Sequence, residues 1–326
     1  VRDVIRLQIK QYIHMLCLSM MIANGGVHQM AALETRRFGR TGMRPRALAL
    51  GAAFLHGVDE AVEAIRLALE LGINYFDTYP GHNENHWGTA LEGVPRESYY
   101  LQAKIGTHPE RLKDFSGEAA RWSVEGSLKA MRADYLDSVL IHDPLDIDTP
   151  LAPGNTLDVL CEMREQGLVR NIGLGTRDHA WHRRVIETGC GDLALTFLDY
   201  TLTSQTAADT IFPTAREHDV GIILAGPQGM GLLTGVAPDA ERERGMYPGK
   251  EPVANRMWTW CRNHDVSIRH LAVQYCLAAP LESIVMVGPS SVQQVQDAYD
   301  AATQEIPEDT WLAFEAEFGV FRGYGG

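Results

Sequence analysis

From residue 46 onward the chain repeats one hydrophobic theme: a short apolar run, a polar turn, then a helical pattern. The apolar runs are Ala47–Leu50, Asn74–Phe76, Tyr99–Ala103, Ser138–Ile141, Val169–Leu174, Ala194–Leu198, Gly221–Leu224 and Ser283–Val287. Several are continuous rather than alternating, the pattern of parallel strands buried on both faces. Between them, Ala61, Val62, Ile65, Ala68 and Leu69 recur at helical spacing, and Gly72 stops that helix. Ala120, Val124, Leu128 and Met131 make a second stripe, and further helical segments are expected over 156–165, 179–187, 207–218, 255–264 and 291–302. Eight strands alternating with helices predict an α/β fold, a (β/α)8 TIM barrel. A doubly wound open sheet would carry G-x-G-x-x-G after its first strand, where this chain reads GAAFLHG. Residues 237–252 read as an exposed loop between the seventh strand and its helix.

Residues 30–326 are expected to form a single barrel domain. Ahead of them, Met15–Ala23 is an apolar run preceded by Arg2, Arg6 and Lys10. It is shorter than the ~20 residues that span a bilayer. It has the outline of a signal peptide without a convincing cleavage site. Met30 opens a fresh start, so residues 1–29 read as an upstream or non-native leader. The 326 residues are 45% hydrophobic and 22% charged, a folded-protein composition. Lys+Arg 29 against Asp+Glu 42 gives a net charge of -13. Such a surface repels phosphate backbones and anionic membranes, which excludes nucleic acid and membrane as expected partners. Cys17, Cys161, Cys190, Cys261 and Cys276 are scattered, with no zinc-knuckle or redox-pair spacing. They read as reduced thiols of a cytoplasmic protein.

In a barrel of this kind chemistry gathers where strands end. The second predicted strand runs into Asp77, the third into Lys104 and the fourth into His142. An Asp–Lys pair in a closed cleft tunes a neighbouring acid, and a His beside it can hydrogen-bond a substrate oxygen. Singly, each has a plainer reading, as a turn former, a solvated strand end or a structural donor. Their occurrence on three successive strands favours a site.

These residues lie in stretches that resemble the aldo-keto reductase superfamily. The resemblance runs over roughly 33–305 and is carried by RRFGRTGMRPRALALG, by GINYFDTYPGHNENHWGTAL around Asp77, by LQAKIG around Lys104 and by SVEGSLKAMRADYLDSVLIHDP into His142. EMREQGLVRNIGLG, GIILAGPQGMGLLTG and LAVQYCLAAPLESIVMVGPSSVQQVQ complete it. The stretch from Ser123 to Pro144 looks most like the sugar 1-dehydrogenase branch, the L-galactose and D-threo-aldose (L-fucose) dehydrogenases. The resemblance implies a nicotinamide cofactor bound across the barrel mouth, hydride transfer to or from a small sugar or carbonyl substrate, and an Asp–Tyr–Lys–His tetrad. Asp77, Lys104 and His142 match three of its positions. The fourth departs: where the family carries Tyr five residues after the Asp, this chain has His82. His82 keeps the register and is the favoured acid/base; Tyr79 is the other candidate, if the shortened loop re-aims it.

By the same resemblance, Gly175 and Thr176 contact the nicotinamide amide, and Tyr200 lies near its ring face unless it is a core aromatic. Gly226 and Gln228 lie along the pyrophosphate, and Gly288, Ser290, Ser291 and Gln294 take the adenosine end. Ser290 stands where NADP-using relatives carry Lys or Arg, and no basic residue occurs between Leu271 and Phe321. A 2′-phosphate needs a cation, so NAD is expected over NADP, with Arg269 or the 237–252 loop as the remaining sources of charge. Two other readings stay open. His82, Glu84 and His86, with His142 and His56 near, could hold a divalent metal for an isomerase, lyase or hydrolase, although no metal is expected. Without its Tyr, the protein could also be a redox-inactive NAD-binding protein.

Overall fold

A computed structural model describes residues 32–51, 54–55, 57–82, 84–239 and 248–326. The expected leader, His56 and residues 240–247 of the 237–252 loop fall outside these residues. Eight parallel strands close on themselves in sequence order. They are β1 (Leu48–Gly51), β2 (Tyr75–Asp77), β3 (Tyr100–Ile105), β4 (Leu136–His142), β5 (Val169–Gly175), β6 (Leu193–Phe197), β7 (Gly221–Ala225) and β8 (Ser283–Val287). Each coincides with an apolar run read from the sequence, so the expected (β/α)8 barrel is the architecture observed.

The helices are α1 (Val58–Glu70), α2 (Glu84–Ala90), α3 (Gly117–Met131), α4 (Asp148–Leu151), α5 (Thr156–Glu165), α6 (His179–Glu187), α7 (Thr206–His218), α8 (Glu251–Asn263), α9 (Ile268–Leu277), α10 (Val292–Thr303) and α11 (Glu308–Phe318). Their ends follow local chemistry. The Ser116 hydroxyl accepts from the Ala119 amide to start α3, and Ser291 does the same for Gln294 at α10. Just past α1, Gly72 sits at φ 83°, the left-handed backbone that stops a helix.

Alternation along the strands sorts side chains into two layers. Phe76, Leu101, Ala103, Val139 and Ile141 pack outward with Ala61, Ile65 and Val124 of the helices. Tyr75, Leu140, Leu193, Leu195, Ile223, Ile284 and Met286 fill the barrel interior. Phe38 and Met43, from the segment before β1, join this inner cluster. Phe38 is fully buried and meets Tyr75 edge-on at 5.8 Å. It also crowds Gly221, the first residue of β7, where an added Cβ would lie 3.0 Å from the ring. Phe38 therefore seals the N-terminal end of the barrel and leaves the C-terminal end for a site.

Candidate active site

Asp77 ends β2, Lys104 is the penultimate residue of β3, and His142 ends β4. Strand register sets Asp77 beside Gln102, Lys104 beside Leu140 and His142 beside Gly175. Lys104 Nζ donates to Asp77 Oδ2 at 2.6 Å and to the Thr78 carbonyl at 2.7 Å. The two side chains are only 4% and 8% exposed. A buried ion pair holds together only when its remaining hydrogen-bonding capacity is met. Here Gln102 Nε2 donates to Asp77 Oδ1 at 2.7 Å. Tyr75 Oη donates to Gln102 Oε1 at 2.7 Å and lies 2.8 Å from Ser138 Oγ. A polar chain thus runs from the barrel interior up to the Lys104 ammonium.

His142 lies beside this pair. Burial, then the charges of Lys104 and Lys113, push its imidazole down to about 3, so the ring is neutral at physiological pH. Its Nδ1 is buried without a hydrogen-bond partner among the described residues; Asp143 Oδ2, at 3.7 Å, is beyond hydrogen-bonding range. A neutral imidazole in this position can hydrogen-bond a substrate oxygen without adding charge.

The two acid/base candidates differ in their surroundings. The Tyr79 ring has Lys104 Nζ 5.1 Å from its centroid and the His142 ring edge-on at 6.1 Å. Burial, then the Asp143 and Asp77 charges, raise its phenol above the usual tyrosine value. His82 touches Tyr79, with ring centroids 4.9 Å apart. It is exposed and lines a cleft of about 290 Å³ with Gly81, Glu84, His86, His108 and Trp122. The turn between them is tight. Gly81 has φ 80°, and a Cβ there would come within 2.5 Å of Pro109 and 2.7 Å of His108.

Among the described residues no group of three His, Cys, Asp or Glu side chains could hold a metal ion; His56 of the suggested set lies outside them. Glu84 and His86 both border the cleft but are two positions apart on α2, a spacing at which helical side chains do not face each other. Glu84 is buried and accepts from Thr78 Oγ1 at 3.1 Å, while His82 remains exposed.

Among the expected cofactor residues, Gly175 leaves a bare backbone beside His142. A Cβ there would lie 3.3 Å from the imidazole, so the absent side chain leaves room that suits a flat ring. Thr176 is buried, its hydroxyl accepting from Asp178 N and its carbonyl from His182 Nε2. Gly226 takes φ 74°, and Gln228 follows it in the turn after β7. Beyond β8 and Gly288, Ser290 N and Oγ donate to Gln294 Oε1, and Ser291 caps α10. Arg269 is paired with Asp297 of α10 and donates to the Thr234 carbonyl. Tyr200 is spent on the core: 3% exposed, stacked on Tyr275 at 5.0 Å and donating to the Tyr324 carbonyl. This packing is what the core reading expects of it. Sequence reasoning missed Tyr75, Gln102 and Ser138. The available signal was the two-residue period of β3, which puts Gln102 on the same face as Lys104.

The aldo/keto reductase family model matches residues 47–316. An L-galactose dehydrogenase of Arabidopsis thaliana is 32% identical over 290 residues, 84% of this chain and 90% of that protein. A D-threo-aldose 1-dehydrogenase of a Pseudomonas species is 30% identical over 283 residues, 78% of this chain and 86% of that protein. A solved aldo-keto reductase from Bacillus halodurans shares the fold at a TM-score of 0.70 and 24% identity, over 87% of this chain and 96% of that one. With a match over most of the barrel, the chain belongs to the aldo/keto reductase family and is an NAD(P)-dependent oxidoreductase.

Proposed function

We propose that this protein oxidises a hydroxyl of a small sugar or related substrate, and in reverse reduces the carbonyl, using NAD and with Tyr79 as the proton-transfer group. The observation that carries the reading is the packing of Tyr79 against Lys104 and His142, beside the buried Lys104–Asp77 pair. A bound nicotinamide would supply the acceptor for hydride from the substrate carbon. Tyr79 takes the hydroxyl proton in oxidation and returns it in reduction. The Lys104 ammonium favours the phenolate, and Asp77 holds Lys104 in place. His142, neutral, hydrogen-bonds the substrate oxygen and orients it. His82 is the second reading, favoured by register and by its ring contact with Tyr79.

Gly175, Thr176, Gly226, Gln228, Gly288, Ser290, Ser291 and Gln294 would hold the cofactor. NAD is favoured over NADP because Ser290 offers no cation and Arg269 is already paired with Asp297. The sugar class is supported by the two dehydrogenase relatives. Among the described residues no helix is long and apolar enough to cross a membrane, and the cytoplasm is the proposed setting.

The test is turnover of an aldose panel at the NADH absorbance band. Tyr79→Phe is expected to lose at least ~100-fold, and His82→Ala less than ~10-fold. The opposite ranking transfers the role to His82; two unaffected variants sink the reading. A phenol base also predicts oxidation climbing by about tenfold per pH unit from pH 7 to 9, whereas a base of the imidazole class is already saturated there.

A further inference from the structure

The barrel brings together two cysteines that lie 29 positions apart in the sequence. Cys161 is on α5, and Cys190 is on the turn between α6 and β6. Their Sγ atoms are 2.7 Å apart. That is well inside ordinary non-bonded contact and less than ~1 Å from the ~2.05 Å of a disulfide bond. From the geometry we propose that Cys161 and Cys190 form a reversible disulfide, made by exchange with a small-molecule disulfide of the glutathione class.

Three features of the surroundings support this. Both thiols are partly exposed, whereas Cys261 and Cys276 are 2% and 0% exposed in the core. Arg164 of α5 reaches across the pair, its Nη1 donating to the Cys190 carbonyl at 3.3 Å and its Nη2 lying 3.8 Å from Cys161 Sγ. The same guanidinium pairs with Asp192, which fixes the turn against the helix. Finally, Cys190 lies between Gly189 and Gly191. Gly189 has φ 80°, so this turn bends where no side-chain-bearing residue would readily follow.

The exchange balances in two steps. The Cys190 thiolate attacks one sulfur of the external disulfide; a mixed disulfide forms and one small thiolate leaves. Cys161 sulfur then displaces the second small thiolate from Cys190 Sγ as its own proton passes to solvent. The protein loses two electrons and two thiol protons, and one external disulfide becomes two thiols. Burial and the neighbouring Cys190 thiol push the Cys161 thiol up to about 12. That direction disfavours Cys161 as the attacking thiolate and leaves it the resolving step. Disulfides of this transient kind are compatible with a reducing compartment. The pair precedes β6, at the end of the barrel away from the Asp77–Lys104 mouth. Its oxidation is expected to stiffen the fold and leave catalysis alone.

The test uses the full chain, held in buffers of graded ratio of glutathione disulfide to glutathione. In the oxidised buffer, titratable thiols in denaturant should fall from five by two. Unreduced digests should contain one cross-linked peptide joining the Cys161 and Cys190 segments, about 2 Da lighter than its parts. Excess glutathione should reverse both changes. The melting temperature should rise by roughly 5 °C or more, with kcat/KM within two-fold. Cys161→Ser should stop at a glutathione adduct on Cys190. Five thiols surviving the oxidised buffer, or a cross-link through another cysteine, would overturn the proposal; both readouts come from the unsubstituted chain and need no variant to fold.

Discussion

Two arcs of the same barrel interior are built from opposite materials. On β2, β3 and β4 the inward polar side chains Tyr75, Asp77, Gln102, Lys104 and Ser138 are linked by hydrogen bonds into one buried chain beside Leu140. On β6, β7 and β8 the inward side chains are Leu193, Leu195, Ile223, Ile284 and Met286. The apolar arc is held by packing alone, so it tolerates small changes of shape at a modest cost. The polar arc is held by partners that need one another, because any group left alone there is a buried polar atom or charge without water. What the difference teaches is that this fold places its reactive cation by hydrogen-bond geometry on one side and fills the remaining volume on the other.

The strongest way to break that contrast is Lys104→Met. It leaves the Asp77 carboxylate buried without its cation, a loss of about 3–5 kcal/mol, together with at least ~100-fold in turnover. Denaturant unfolding and initial rates check both; a stable variant would mean the pair is not the keystone of the polar arc. Acid is the next lever. His142 and His182 are pushed down to about 3 and about 4, both chiefly by burial, so the folded protein holds these rings neutral. The unfolded chain binds protons on them below the ordinary histidine value of ~6.5. Each therefore withdraws up to about 1.4 kcal/mol per pH unit as pH falls from about 6 towards 4. Stability measured at steps of pH should show that slope, and His142→Asn should make it shallower. A matched pair of core variants gives the smallest but sharpest comparison. Gln102→Leu strips partners from Asp77, Tyr75 and Ser138 and should cost about 1–3 kcal/mol, with kcat falling more than KM changes. Ile223→Val on the apolar arc should cost about 0.5–1.5 kcal/mol, with activity within two-fold.

Much of this architecture is legible in the chain. The strands stand out because a parallel strand buried on both faces must be apolar throughout, and Asp77, Lys104 and His142 are conspicuous as the polar residues at or next to the ends of such runs. The helical segments expected over 156–165 and 179–187 match α5 and α6. The choice between Tyr79 and His82 is not legible in the same way. It depends on how the turn at Gly81 folds against His108 and Pro109, two residues supplied by the loop after β3. The H-x-E-x-H pattern suggested ligands in a row, but a helix beginning at Glu84 separates them. Tyr200 carries no local mark of its burial, which comes from Tyr275 and Tyr324 far along the chain. The closeness of Cys161 to Cys190 is likewise a product of helix-to-turn packing, and scattered spacing conceals it.

The plug that Phe38 makes at the base has a kinetic consequence. With the base closed and the interior filled by side chains, cofactor, substrate and product share the one open rim above the strand ends. Whichever molecule seats deepest must enter before the other and depart after it. Initial-rate and product-inhibition patterns should therefore show a compulsory order of addition and release, and a random order would mean that a second passage exists.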